Sequence, residues 1–208
     1  MKRGKFITFE GCDGCGKSTQ LKKLSDYLTE NKIEYIFTRE PGGGNISEAI
    51  REILLNGKNT EMSDECEALL YAAARAQHIS EKIEPALAAG KLVVCDRYVD
   101  SSFAYQAYAR GLGEEFVSKI NAFAIEKYRP DLTVFIDLTP EEAFKRKQGA
   151  DENDRLEQAG IAFHKRVYEG YKAIAEKDPH RVYVVDGRQT PDQIFNEVLT
   201  ILKKRGCL

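Results

Sequence analysis

The stretch Gly11-Cys12-Asp13-Gly14-Cys15-Gly16-Lys17-Ser18 constrains this chain more than any other. Its glycines permit backbone angles that side chains resist, so successive N–H groups can turn inward around an anion. The apolar run Phe6–Phe9 precedes it and the amphipathic stretch Ser18–Glu30 follows. That is the strand–loop–helix setting in which GxxxxGK[ST] holds a nucleoside triphosphate. The helix start adds the positive end of its dipole. Lys17 can reach the β- and γ-phosphates, and the Ser18 hydroxyl can ligate Mg²⁺. The loop predicts a triphosphate site over Gly11–Thr19 and is silent on what accepts the phosphate. Cys12 and Cys15 form a C-x-x-C within it but have no second pair at metal-binding spacing, so they read as small residues filling variable positions.

Four more short runs rich in β-branched residues follow: Tyr35–Thr38, Leu92–Cys95, Leu132–Ile136 and Val182–Val185. Each is nearly continuous, the pattern of a strand covered on both faces. Between them lie the amphipathic stretches Ile46–Leu55, Asp64–Ala89, Ser101–Ala109, Glu114–Tyr128, Pro140–Lys147, Arg155–Glu176 and Pro191–Lys204. Thr139-Pro140-Glu141-Glu142 and Thr190-Pro191-Asp192 have the order of helix starts. Strands alternating with helices predict one doubly wound α/β domain over residues 1–208, with about five parallel strands flanked by helices. The polar stretch Gln148–Asp154 reads as a mobile flap, within a lid at about 145–155.

The carboxyl ends of such strands are where ligands bind. The third run leads into Asp96-Arg97, placing Asp96 near the Mg²⁺ and Arg97 near a transferring phosphate; a plain ion pair at a strand end would give the same spacing. Ser102, Tyr105 and Gln106 are spaced to share one helical face. Arg39 ends the second run, and Arg51 follows on a helix. Tyr71 and Arg75 share another face, which suits stacking and hydrogen bonding to a nucleobase, or equally a core tyrosine beside a solvated arginine. His78, His164 and His180 have no ligand-like spacing.

Composition excludes several classes. The 31 Lys and Arg against 33 Asp and Glu leave a net charge of -2, unlike a general nucleic-acid backbone binder. No apolar run approaches the roughly 18–20 residues that span a bilayer. The basic start MKRGKFITFEG has too short an apolar patch for a signal core, and five cysteines, an odd number, fit a reducing cytoplasm.

Several separated motifs together resemble the thymidylate kinase family. They are FEGCDGCGKST at 9–19, TREPGG at 38–43, EALLYAAARAQHI at 67–79, VCDRYVDSSFAYQAYARGLG at 94–113, PDLTVFIDL at 130–138 and NDRLEQ at 153–158. The resemblance implies the P-loop fold and a Mg²⁺-dependent transfer from ATP to dTMP, giving dTDP, in a cytoplasmic homodimer without nucleic acid or membrane partners. It implies that Lys17 and Ser18 hold ATP and metal, and that Asp13 lies by the acceptor sugar and phosphate. It assigns Arg39 and Arg97 to the acceptor phosphate and Arg51 beside base or phosphate. Tyr71 would stack on the base, where the family commonly has Phe, and Arg75 would contact a base carbonyl. Ser102 and Gln106 would complete the base pocket, while Tyr105 would crowd the 2′ position. Gly14 stands where some members carry a loop Arg. The resemblance is thus to the subgroup whose catalytic cation comes from the lid, with candidates Lys145, Arg146, Lys147 and, matching a family motif, Arg155. A kinase for another nucleoside monophosphate is the nearest alternative. A P-loop ATP-dependent switch is a more distant one.

Overall fold

Five parallel strands run in the order β2-β3-β1-β4-β5. They are β1 (Phe6–Glu10), β2 (Tyr35–Arg39), β3 (Leu92–Asp96), β4 (Leu132–Asp137) and β5 (Val182–Asp186). The structure, a computed structural model, describes residues 3–147 and 154–208. Each predicted strand is present and one residue longer than its apolar run. The added residues are Glu10, Arg39, Asp96, Asp137 and Asp186, all charged and all at the carboxyl end. Hydrophobicity stops at the first charge, but the backbone ladder does not: Arg39 pairs with Asp96, and Asp137 with Asp186. The apolar sheet therefore ends in a row of charges on the edge where ligands bind.

Alternation along the strands divides the core. Ile7, Phe9, Val94, Val134 and Ile136 pack beneath Leu24 and Leu28 of α1 (Lys17–Glu30) and Val198 and Leu202 of α10 (Pro191–Lys204). On the opposite face, Phe6, Val93 and Cys95 meet Ile79, Ile83 and Leu87, while Phe135 meets Phe163, Val167 and Tyr171. Burying each large side chain contributes about 1.5–3 kcal/mol. The inner strands are covered on both sides, as predicted. The edge strands are not: β2 is half-buried and Val184 on β5 is exposed, because each lacks a neighbour.

The helices depart from the sequence expectation in instructive places. α2 (Asn45–Leu55) and α8 (Pro140–Lys147) form where expected. In α10, Thr190 and Gln193 make a reciprocal capping box around Pro191. The stretch expected as one helix over 64–89 runs through α3 (Asp64–His78), a wider π-helical turn at Ile79–Ile83, and α4 (Glu84–Ala88). The one expected at 101–109 starts earlier, as α5 (Val99–Ser102), and continues π-helical over Phe103–Ala109. That at 114–128 divides into α6 (Glu114–Ile120) and α7 (Ala122–Lys127) at Asn121, whose Nδ2 donates to the Val117 carbonyl at 2.9 Å.

The expected helix over 155–176 needs correcting: α9 covers Ile161–Lys177. Before it, Asp154 accepts from the Leu156 backbone N–H at 2.8 Å, and the Arg155 N–H bonds the Leu55 carbonyl at 3.0 Å. Local and tertiary partners thus satisfy the backbone, and Gly160, at φ 81°, turns the chain before α9 begins. The polar stretch proposed as a flap lies, at 148–153, outside the described residues. Among the described residues, no helix is long and apolar enough to cross a membrane.

Candidate active site

A cavity of about 500 Å³ opens at the carboxyl edge of the sheet. One wall is the glycine-rich loop between β1 and α1. Gly16, at φ 106°, is the residue from which α1 starts, a left-handed conformation that favours glycine. Lys17 is buried, and its Nζ donates back to the Gly11 carbonyl at 3.1 Å and the Cys12 carbonyl at 3.4 Å. Asp13, Gly14, Gly16, Lys17, Ser18 and Thr19 line the cavity, whereas Gly11, Cys12 and Cys15 support the loop from behind. Both loop cysteines are buried free thiols. Burial pushes the Cys12 thiol up to about 12 and raises Cys15 too, so both stay protonated and pack as small apolar groups.

At the middle of the cavity Arg97 Nη2 donates to Asp13 Oδ1 at 2.8 Å. Burial alone would raise the Asp13 carboxyl. The positive charges of Arg97 and Lys17 outweigh it and hold the group below the usual carboxylate range. Arg97 adopts φ 65°, unusual for a side-chain-bearing residue. Its Nη1 donates to the Tyr171 hydroxyl at 2.8 Å, and its guanidinium lies 5.3 Å from the Tyr105 ring centre. Beneath them Glu10, fully buried, accepts from the Tyr98 N–H at 2.8 Å, Ser101 Oγ at 2.6 Å and the Tyr171 hydroxyl at 2.8 Å. Burial, aided by the Asp100 charge, pushes Glu10 up to about 7. An acid ending the apolar run Phe6–Phe9 was the sequence signal for this residue, and the sequence reading passed over it.

The far end is built around Arg75, the largest fully buried side chain. Its Nε donates to Glu40 Oε2 at 2.7 Å, and Nη1 donates to Ser102 Oγ at 2.9 Å and Asn121 Oδ1 at 2.5 Å. Glu40 in turn pairs with His78 Nδ1 at 2.9 Å, and His78 Nε2 lies 2.6 Å from Thr38 Oγ1. Arg75 is therefore not a solvated helix residue. Tyr71, Ser102, Tyr105 and Gln106 line the same end, and Gln106 Nε2 donates to the buried Glu67 at 2.9 Å. Glu40, His78 and Asn121 were missed because the contacts that join them to Arg75, to one another and to Thr38 span 35 to 46 residues of sequence.

Arg39 and Arg51 form the side wall. Arg39 pairs with Glu48 at 2.8 Å, and Arg51 Nη1 donates to the Pro41 carbonyl at 2.8 Å. Burial and the neighbouring Arg39 charge pull Arg51 downward. Asp96 and Ser18 line the cavity together, and Asp96 Oδ1 is buried without a hydrogen-bond partner. Arg155 does not join them. Its Nη2 donates to Glu67 at 2.6 Å and its Nε to the Leu54 carbonyl at 3.1 Å, outside the cavity lining. Lys147, Asp154, Leu156 and Glu157 line it instead.

The family profile described as Thymidylate kinase matches residues 9–198. The chain belongs to the thymidylate kinase family. Its sequence is 50% identical over 205 residues to the thymidylate kinase of Clostridium novyi (strain NT), covering 98% of this chain and all of that one. It is 49% identical over 203 residues to that of Finegoldia magna, again covering 98% of this chain and all of the relative. Among solved structures, the crystal structure of thymidylate kinase from Ehrlichia chaffeensis superposes with a TM-score of 0.78 at 33% identity, over 97% of this chain and 99% of that one. Thymidylate kinases are phosphotransferases that act on dTMP with ATP as donor. The P-loop architecture expected from the sequence is that of this family.

Proposed function

We propose that this chain transfers the γ-phosphoryl group of ATP to dTMP, releasing ADP and dTDP. The observation that carries the reading is a single cavity joining the triphosphate loop to the Arg75 end, with Asp13 and Arg97 hydrogen-bonded at the junction. In this reading Gly11–Thr19 hold the ATP phosphates, with Lys17 leaving its loop carbonyls for the β- and γ-oxygens. The dTMP phosphate lies against Arg39 and Arg97, with Arg51 beside it. The base stacks on Tyr71 and meets Arg75, Ser102 and Gln106, while Tyr105 closes the 2′ side against ribose.

The attacking oxygen belongs to an anionic phosphate and needs no base. Transfer through a loose transition state rests on positioning and charge neutralisation. The ionised Asp13 fits that scheme as an anchor for Arg97 and an acceptor from the sugar. Mg²⁺ fits the residues present: Asp96 offers a buried oxygen lacking a partner, and Ser18 a hydroxyl in the same wall. Bound there, the ion would neutralise phosphate charge. Among the described residues no three His, Cys, Asp or Glu side chains cluster to hold a metal alone. That suits a cation taking most of its ligands from phosphates and water.

We also propose one catalytic domain over residues 1–208, a lid at about 145–155, and a cytoplasmic homodimer. Support for the dimer comes from Ile46 and Ile53 on α2 and Leu69 on α3, which stay exposed and apolar; sedimentation equilibrium tests it. The decisive assay follows ADP release with dTMP, dUMP, dCMP, AMP and GMP side by side. The expected result is a highest kcat/KM with dTMP. A higher value with another monophosphate, or hydrolysis with no phosphorylated acceptor, refutes the reading.

A further inference from the structure

We propose that Lys147 is the side chain of α8 that contacts the transferring phosphoryl group, and that Arg155, the better motif match, instead anchors the chain behind it. This assignment rests on the phosphoryl-transfer reading above. Four cations flank this part of the sequence: Lys145, Arg146, Lys147 and Arg155. Between Lys147 and Arg155 the sequence Gln148-Gly149-Ala150-Asp151-Glu152-Asn153-Asp154 contains no Lys or Arg. Of the four, Lys147 alone lines the cavity. Arg146 Nη1 is engaged by the Gly187 carbonyl at 2.8 Å. Arg155 is held by the Leu54 carbonyl and the fully buried Glu67, and its own N–H by the Leu55 carbonyl. Withdrawing it would leave Glu67 with less compensation in a buried site.

The loop explains why α8 can bring a cation so near. A Cβ on Gly14 would lie 2.3 Å from the Ala143 carbonyl oxygen and 3.3 Å from Lys147 Cβ. The last turn of α8 therefore rests directly on the phosphate loop, and Gly14 at φ 88° has no room for a side chain of its own. The loop cannot supply a cation from that position; the helix packed on it can. Lys147 sits in the C-terminal turn of α8, where the helix dipole favours positive charge. Its Nζ pairs with Glu157, which lines the same cavity, so the ammonium is held at the wall facing Asp13 and the loop. It is also one of the charges that hold the Asp13 carboxyl low.

The test compares Lys147→Ala, Lys147→Arg and Arg155→Ala with the parent chain, by steady-state turnover of ATP and dTMP and calorimetric ATP binding. Lys147→Ala is expected to lower kcat about a hundredfold or more, with both KM values within about threefold. Lys147→Arg should recover much of the loss, and added ethylamine should partly restore Lys147→Ala, which a structural role would not allow. Arg155→Ala should lower the unfolding midpoint more than Lys147→Ala does. A kcat for Lys147→Ala within threefold of the parent, or a loss confined to the KM for ATP, overturns the assignment. A parent chain that turns over no dTMP refutes the substrate reading itself, and the assignment with it.

Discussion

Replacing Glu40 by Gln removes one charge and almost no volume from the best-buried ion pair in the site. The Arg75 and Glu40 side chains are 1% and 4% exposed, and their contact is 2.7 Å. A glutamine carbonyl can still accept from Arg75 Nε while its amide donates to His78 Nδ1 in the other ring tautomer, so the loss is chiefly electrostatic. The guanidinium then lies buried with only neutral partners: Ser102, Asn121 and the Tyr98 carbonyl. Stranding a buried charge in this way costs about 3–5 kcal/mol. For a chain of this size each kcal/mol moves the midpoint by about 2–4 °C, so Tm should fall by roughly 6–20 °C. Scanning calorimetry of parent and variant measures it. The double variant Glu40→Gln with Arg75→Met should be less destabilised than the two single costs added, because the stranded charge is gone. A Tm within 3 °C of the parent, or strictly additive costs, would show that the pair is not what holds Arg75.

Arg97→Ala should lower kcat by about 10²–10³ while ATP affinity, read by calorimetry, stays near the parent value; near-normal turnover at saturating substrate counts against the role given to Arg97. Glu10 gives a pH prediction. Its folded-state value, pushed from 4.5 to about 7, means that the native chain retains a proton the unfolded chain releases. The stability from this group is complete below about 4.5 and is lost as pH rises through about 7, a change of about 3 kcal/mol. Urea unfolding of parent and Glu10→Gln across pH 5–8 should show their difference shrinking or reversing in that direction, and a difference that does not vary with pH would refute it.

The strands, their parallel pairing and the glycine-rich loop were legible because each is signalled by neighbours in sequence: apolar runs alternating with amphipathic stretches, glycines at short spacing, a helix start. The same reasoning brought Tyr71 and Arg75, and Ser102, Tyr105 and Gln106, onto common faces, and the cavity gathers all five. It faltered over 155–160, where a helical pattern gave way to bonds between Arg155 and α2. The sequence by itself determined which chemical groups the carboxyl edge would carry. Only the tertiary structure decided which cations face the cavity and which are consumed elsewhere. A side chain's charge is written in its own residue, but its availability depends on partners such as Glu67, Glu40 and the Gly187 carbonyl, brought near by packing between distant segments.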